Sequence, residues 1–127
     1  MSYMEKAKAL RADTAVHYNC AQSVLIPFAA EMGLSEEQAR ALGAHFGSGM
    51  RHGSTCGAVT GALMALGALG FREEESRSFL QAFRTQEGDL TCAKLLAIGK
   101  EKGLEKKDHC SQMVAAAADL VSKYISK

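Results

Sequence analysis

Apolar residues recur along this chain at intervals of three and four, and no convincing run alternates in steps of two. An interval pattern near 3.6 marks one face of an α-helix, so the chain reads as all-α from end to end. Tyr3, Ala7, Leu10 and Thr14 mark one face of a first helix. Asn19 and Gln22 stand at the spacing of a capping box, in which each side chain satisfies a backbone N–H of the other residue. Val24, Leu25, Phe28 and Met32 line the helix that follows, and Gly33 closes it. Pro27 lies inside that helix and leaves the Ser23 carbonyl without its donor, so a kink is expected there. Ser35 and Gln38 repeat the box ahead of a short helix with Ala39, Leu42 and Phe46 inward. A central helix runs from Cys56 to about Leu69, another carries Phe79, Leu80 and Phe83, and a short one spans Cys92 to Ile98. Met113, Val114, Ala117, Leu120, Val121, Tyr124 and Ile125 give the last helix the cleanest stripe. The expectation is a single domain over residues 1–127, a bundle of six or seven helices starting near Asn19, Ser35, Thr55, Thr91 and Asp108.

A domain of 127 residues buries a core without disulfides as staples. The net charge of +1 and the absence of Trp argue against nucleic acid as a partner. The longest apolar stretch, Cys56 to Phe71, is broken by glycines and threonines and falls short of the ~20 apolar residues of a spanning helix. Residues 1–10 are charged and amphipathic, unlike a secretory signal. The chain therefore reads as cytoplasmic, a setting in which cysteines more often bind metal or do chemistry than form structural disulfides.

All four cysteines follow a capping residue: Asn19-Cys20, Thr55-Cys56, Thr91-Cys92 and, one residue further on, Asp108-His109-Cys110. A cysteine in a capped first turn meets free backbone N–H donors and the positive end of the helix dipole. Both favour the thiolate, which is the nucleophile and the metal ligand. No C-x2-C pair occurs, so neither a zinc ribbon nor a thioredoxin motif is present. Sulfurs so far apart in sequence can meet only through the tertiary fold. A thiolate needs partners, because an isolated buried charge is expensive, and the common partner of four would be a metal centre or sulfur–sulfur bonds. Cys20, Cys56, Cys92 and Cys110 are therefore expected to gather at one site.

Gly57, Gly61 and Ala65 repeat every four residues after Cys56 and leave one side of the central helix almost bare. Glycine inside a helix costs roughly 1 kcal/mol relative to alanine, so a close neighbour is expected on that side. It is either another helix or a cofactor beside Cys56, held with the help of Asn19, Gly57 and Gly61. The glycine-rich run from Gly47 to Gly53 reads as a wall around Cys56. His109 beside Cys110 and His52 near Cys56 are candidates to tune or ligate, whereas His17 and His45 carry no such signal. Neither a Ser-His-Asp logic nor a pair of acids in an apolar setting is present, which argues against a hydrolase.

Cys20, the string Cys56-Gly57-Ala58-Val59-Thr60-Gly61, Cys92 and Cys110 resemble a small bacterial family labelled C_GCAxxG_C_C, redox-active proteins with four cysteines and a CGAxxG motif. The match also takes in Asn19-Cys20-Ala21-Gln22 and the string onward to Leu63. Ser48, Arg51 and His52 depart from a loop that is richer in glycine among relatives. The resemblance implies a redox role in bacteria, often anaerobes, with genes near transporters.

Three functions follow from these residues. The first is electron transfer through an iron–sulfur centre held by Cys20, Cys56, Cys92 and Cys110, matching the four-thiolate ligand count. The second is thiol–disulfide chemistry with Cys56 as the attacking thiol. The third is a structural zinc module for protein interaction. Each redox reading implies another redox protein or electron carrier as partner, and a homodimer is compatible with all three.

Overall fold

The computed structural model describes residues 1–125. Among them the chain forms eight α-helices and no strands: α1 (Tyr3–Ala12), α2 (Cys20–Leu25), α3 (Ala29–Met32), α4 (Glu36–Gly43), α5 (Gly57–Ala68), α6 (Glu73–Glu87), α7 (Cys92–Glu101) and α8 (Lys106–Ile125). The expected six or seven become eight because Pro27 divides the second helix. A 3-10 turn over Ile26–Phe28 separates α2 from α3, where the proline withholds a backbone donor. Both expected capping boxes are present: Gln22 N–H donates to Asn19 Oδ1 at 2.8 Å, and Gln38 N–H to Ser35 Oγ at 3.0 Å. Gly33 closes α3 in the left-handed conformation, φ 75°.

The core is built on α5 and α8, with Val59, Leu66, Val114 and Val121 fully buried between their neighbours. Phe79 and Phe83 of α6, Phe28 and Ala7 complete it. Two expected inward positions differ. Helix α1 stops at Ala12 before reaching Thr14, because Asp13 Oδ1 accepts the N–H groups of Ala15 and Val16 and turns the chain. Leu42 is 52% exposed. Helix α4 rests on α2 through Ala39 and Gly43, and a Cβ at Gly43 would lie 3.0 Å from Gln22 N, which turns the neighbouring Leu42 outward. Phe46 lies beyond the end of α4 and is half-buried.

Helix α2 crosses α5 along the bare stripe. A Cβ on Gly61 would sit 2.8 Å from the Ala21 carbonyl oxygen and 3.1 Å from its Cα. One on Gly57 would meet Phe46 O at 2.8 Å and Cys20 Cβ at 3.1 Å. Backbone cannot swing aside as a side chain can. Gly61→Leu is therefore expected to lower stability by at least the ~1–3 kcal/mol of overpacking. Thermal unfolding reads this directly, and an unchanged midpoint would mean that the two helices separate freely.

Candidate functional site

The crossing of α2 on α5 brings Cys20, the first residue of α2, beside the start of α5. A single antiparallel bridge pairs Thr55 with Thr91. Cys56 N–H donates to Leu90 O at 2.8 Å, and Cys92 N–H to Ser54 O at 2.7 Å, so the starts of α5 and α7 are tied together. With α8 packed across α2, α5 and α7, Cys110 comes to the same place. All four cysteines line one cavity of about 790 Å³. Asn19 and Gly57 line it too, whereas Gly61 does not; the Ala21 backbone covers it. Asn19 Nδ2 also donates to Gly43 O at 2.9 Å, so its polar groups serve the cap and the α4 contact.

The four helix-terminal positions are not alike. Cys20 and Cys92 are first residues, but Cys56 is itself the N-cap of α5, because Thr55 is held in the bridge. Thr91 precedes α7 without a side-chain cap. Asp108 is not a cap: α8 begins at Lys106, so Asp108 lies in its first turn and Cys110 in the second.

Burial decides the acidity of two thiols, Cys56 and Cys92. Cys56 Sγ accepts the N–H groups of Ala58 and Val59, which favour the thiolate, yet desolvation outweighs them and pushes its pKa up to about 11. Burial likewise raises Cys92, with further opposition from Cys110. Cys20 is raised well above 9.0, chiefly because its S–H donates to Cys110, with desolvation and the Cys110 charge adding to this. Cys110 goes the other way, down to about 6. The Cys20 hydrogen bond is the largest cause; burial opposes it, and the cations of Arg11 and Lys106 add to it. The pair thus shares one proton, held on Cys20, with the negative charge on Cys110. Helix-terminal amides are weaker than desolvation here, so Cys110, not Cys56, is the acidic thiol.

Arg11 is fixed by Nη1 donating to Tyr18 O at 2.9 Å, with Nε directed at Ser111 Oγ at 3.4 Å. It belongs to the site, and the sequence gives no sign of it, because nothing local links the last turn of α1 to a cysteine far along the chain. Of the histidines, His17 and His109 line the cavity. His109 packs on Gly99, where a Cβ would lie 2.5 Å from Nδ1, and desolvation lowers its pKa. His45 Nδ1 contacts Arg51 Nη1 at 3.3 Å, and His52 is exposed. The wall from Gly47 to Gly53 lines the cavity together with Cys56 and presses on Cys92: a Cβ on Gly49 would sit 2.6 Å from Cys92 Cβ. Ser48, Met50 and Arg51 in that wall have left-handed φ of 53°, 55° and 69°. Each such residue costs of order 1–3 kcal/mol, which accounts for glycine being preferred in such a loop.

Among the described residues no group of three or more His, Cys, Asp or Glu is arranged to hold a metal ion. The four sulfurs share one cavity without forming such a group. As placed they do not fit a cluster or a zinc ion, and they do provide one thiol–thiolate pair in contact.

Fold and site define a small helical protein with four cysteines on one cavity. The chain belongs to the family described as "Putative redox-active protein (C_GCAxxG_C_C)", whose model matches residues 18–124. No curated protein and no solved structure matches it. Among the described residues no helix is long and apolar enough to cross a membrane.

Proposed function

We propose that this redox-active protein is a thiol–disulfide oxidoreductant in which Cys110 attacks and Cys20 resolves. The observation that carries the reading is the thiol–thiolate contact between these two residues on the cavity wall, with Arg11 and Lys106 beside it. The Cys110 thiolate attacks one sulfur of a substrate disulfide, and the other sulfur departs with the bonding electron pair. Cys20 then yields its proton to the departed thiolate and attacks Cys110 Sγ, which expels the second half of the substrate. The substrate disulfide is reduced to one thiol and one thiolate, which takes a proton from water, and Cys20 and Cys110 are oxidised to one disulfide. Another redox protein or electron carrier would return the two electrons. Cys56, held as a neutral thiol, serves this reading as a neighbour in the same cavity, not as the attacking group.

Electron transfer through an iron–sulfur centre is the second reading, supported by the meeting of four sulfurs on one cavity. The absence of a three-residue ligand arrangement among the described residues weighs against it and against zinc. Anaerobic purification followed by iron, zinc and sulfide analysis separates the readings. The dithiol reading expects metal-poor protein that loses one pair of thiols on mild oxidation, with peptide mapping locating a Cys20–Cys110 bond. Stoichiometric iron and sulfide with no such bond would overturn it.

A further inference from the structure

Four cations line the cavity that holds the cysteines: Arg11 from the last turn of α1, Lys106 and Lys107 from the first turn of α8, and Arg51 from the loop before α5. Among the described residues Asp13 is the one acid on that lining, and its Oδ1 is engaged by the N–H groups of Ala15 and Val16. None of the four cations is ion-paired among the described residues. Arg11 is committed to Tyr18 and to the Cys110 charge, and Lys106 also lies beside that charge. Lys107 and Arg51 are exposed and, among the described residues, have no anionic partner. A wall with this excess of positive charge, at a site that already holds one thiolate, has capacity for further negative charge. A volume of about 790 Å³ is that of a small-molecule site. Leu95, Leu96 and Met113 supply apolar lining against which a short carbon chain or a pair of sulfurs can lie.

We propose that the cavity takes low-molecular-weight disulfides bearing carboxylates, with the carboxylates on its cations and one sulfur presented to Cys110. This rests on the dithiol reading above and names its substrate class. The reaction is the same: the substrate leaves as one thiol and one thiolate that water protonates, each bearing its carboxylate, and Cys20 and Cys110 are left as a disulfide.

Three small disulfides of opposite or no charge test it on the reduced full-length protein: the dicarboxylate dithiodiglycolate, the neutral bis(hydroxyethyl) disulfide and the diamine cystamine. Each rate of Cys20–Cys110 oxidation is divided by the rate of the same disulfide with a neutral reference thiol, N-acetylcysteine amide, which removes differences in leaving-group chemistry. The normalised rate for the dicarboxylate should exceed that for the diamine by at least about tenfold at low salt, and the gap should narrow as salt is added. Replacing together the two cations not beside the Cys110 charge, Arg51→Gln with Lys107→Gln, should bring the dicarboxylate down toward the diol. Equal normalised rates for all three, or a preference for the diamine, would overturn the substrate class while leaving the dithiol chemistry in place. If none of the three produces the Cys20–Cys110 bond, the dithiol reading itself fails.

Discussion

Alanine at Cys20 should move the titration midpoint of Cys110 from about 6 toward or past the ordinary thiol value of 9.0. The Cys20 S–H is the largest influence lowering Cys110, and burial, which opposes it, stays when the donor is removed. Arg11 and Lys106 remain and limit the rise, so Arg11→Gln in the intact protein should give a smaller shift in the same direction. With a value near 6, Cys110 is about nine-tenths ionised at pH 7, against about one-hundredth for a thiol at 9.0. Thiolate abundance alone would give about a 90-fold advantage. Intrinsic nucleophilicity falls by a factor of about 2.5–3 for each unit of acidity, which reduces the net gain at pH 7 to roughly three- to six-fold. The midpoint is therefore the sharper readout than the rate at one pH. Alkylation of Cys110 by iodoacetamide, followed by mass spectrometry across pH 4–10, gives it. A midpoint that stays near 6 in the alanine variant would assign the acidity to the cations alone. A midpoint near 9 in the unsubstituted protein would remove the attacking thiolate from the proposed chemistry.

The same shift bears on stability. The folded value lies below the unfolded one, so the Cys110 thiolate contributes stability that is fully present above about 9 and is lost as pH falls through about 6. His109 acts in the same direction, since its folded value is also lowered and the unfolded chain takes up its proton first as pH falls.

What the sequence made legible was local. Capping boxes at Asn19 and Ser35 are set by residues three apart, and the Pro27 interruption by one missing donor, so both appear where the chain predicts them. The gathering of four cysteines was legible through their shared placement near helix starts. Their acidities were not. At Cys56 the cap geometry delivers two N–H donors, yet desolvation outweighs them, and desolvation depends on which helices pack over the sulfur. At Cys110 the reverse holds: a second-turn cysteine becomes the acidic one, because the fold brings Cys20, Arg11 and Lys106 to it. The glycine stripe offered two readings, and only the Ala21 backbone against Gly61 separates them. Leu42 fails for a related reason, since a glycine one position on takes the close contact that the apolar stripe assigned to the leucine.

Oxidation of Cys20 and Cys110 to a disulfide should stabilise the fold by about 1.5–3 kcal/mol relative to the reduced protein. The bond would close a roughly 90-residue loop, and the loss of chain entropy in the unfolded state for such a loop is worth about 4.6 kcal/mol at 25 °C. Against this stands what the reduced site gives up. A hydrogen bond to a charged group contributes about 1.5–3 kcal/mol, and the thiol–thiolate contact disappears when the bond forms. The difference still favours the oxidised state, because loop closure acts on the whole unfolded chain and the lost contact is a single interaction. Urea unfolding of matched oxidised and reduced samples measures it, and the difference should vanish in Cys20→Ser, where no bond can form. The thiolate contact is strongest when Cys110 is ionised, so the advantage of the oxidised form should grow as pH falls through about 6 and the reduced site loses that contact. An oxidised protein no more stable than the reduced one at neutral pH would show that closing the bond strains the packing of α2 on α8, and Cys20 would then be a poor resolving thiol.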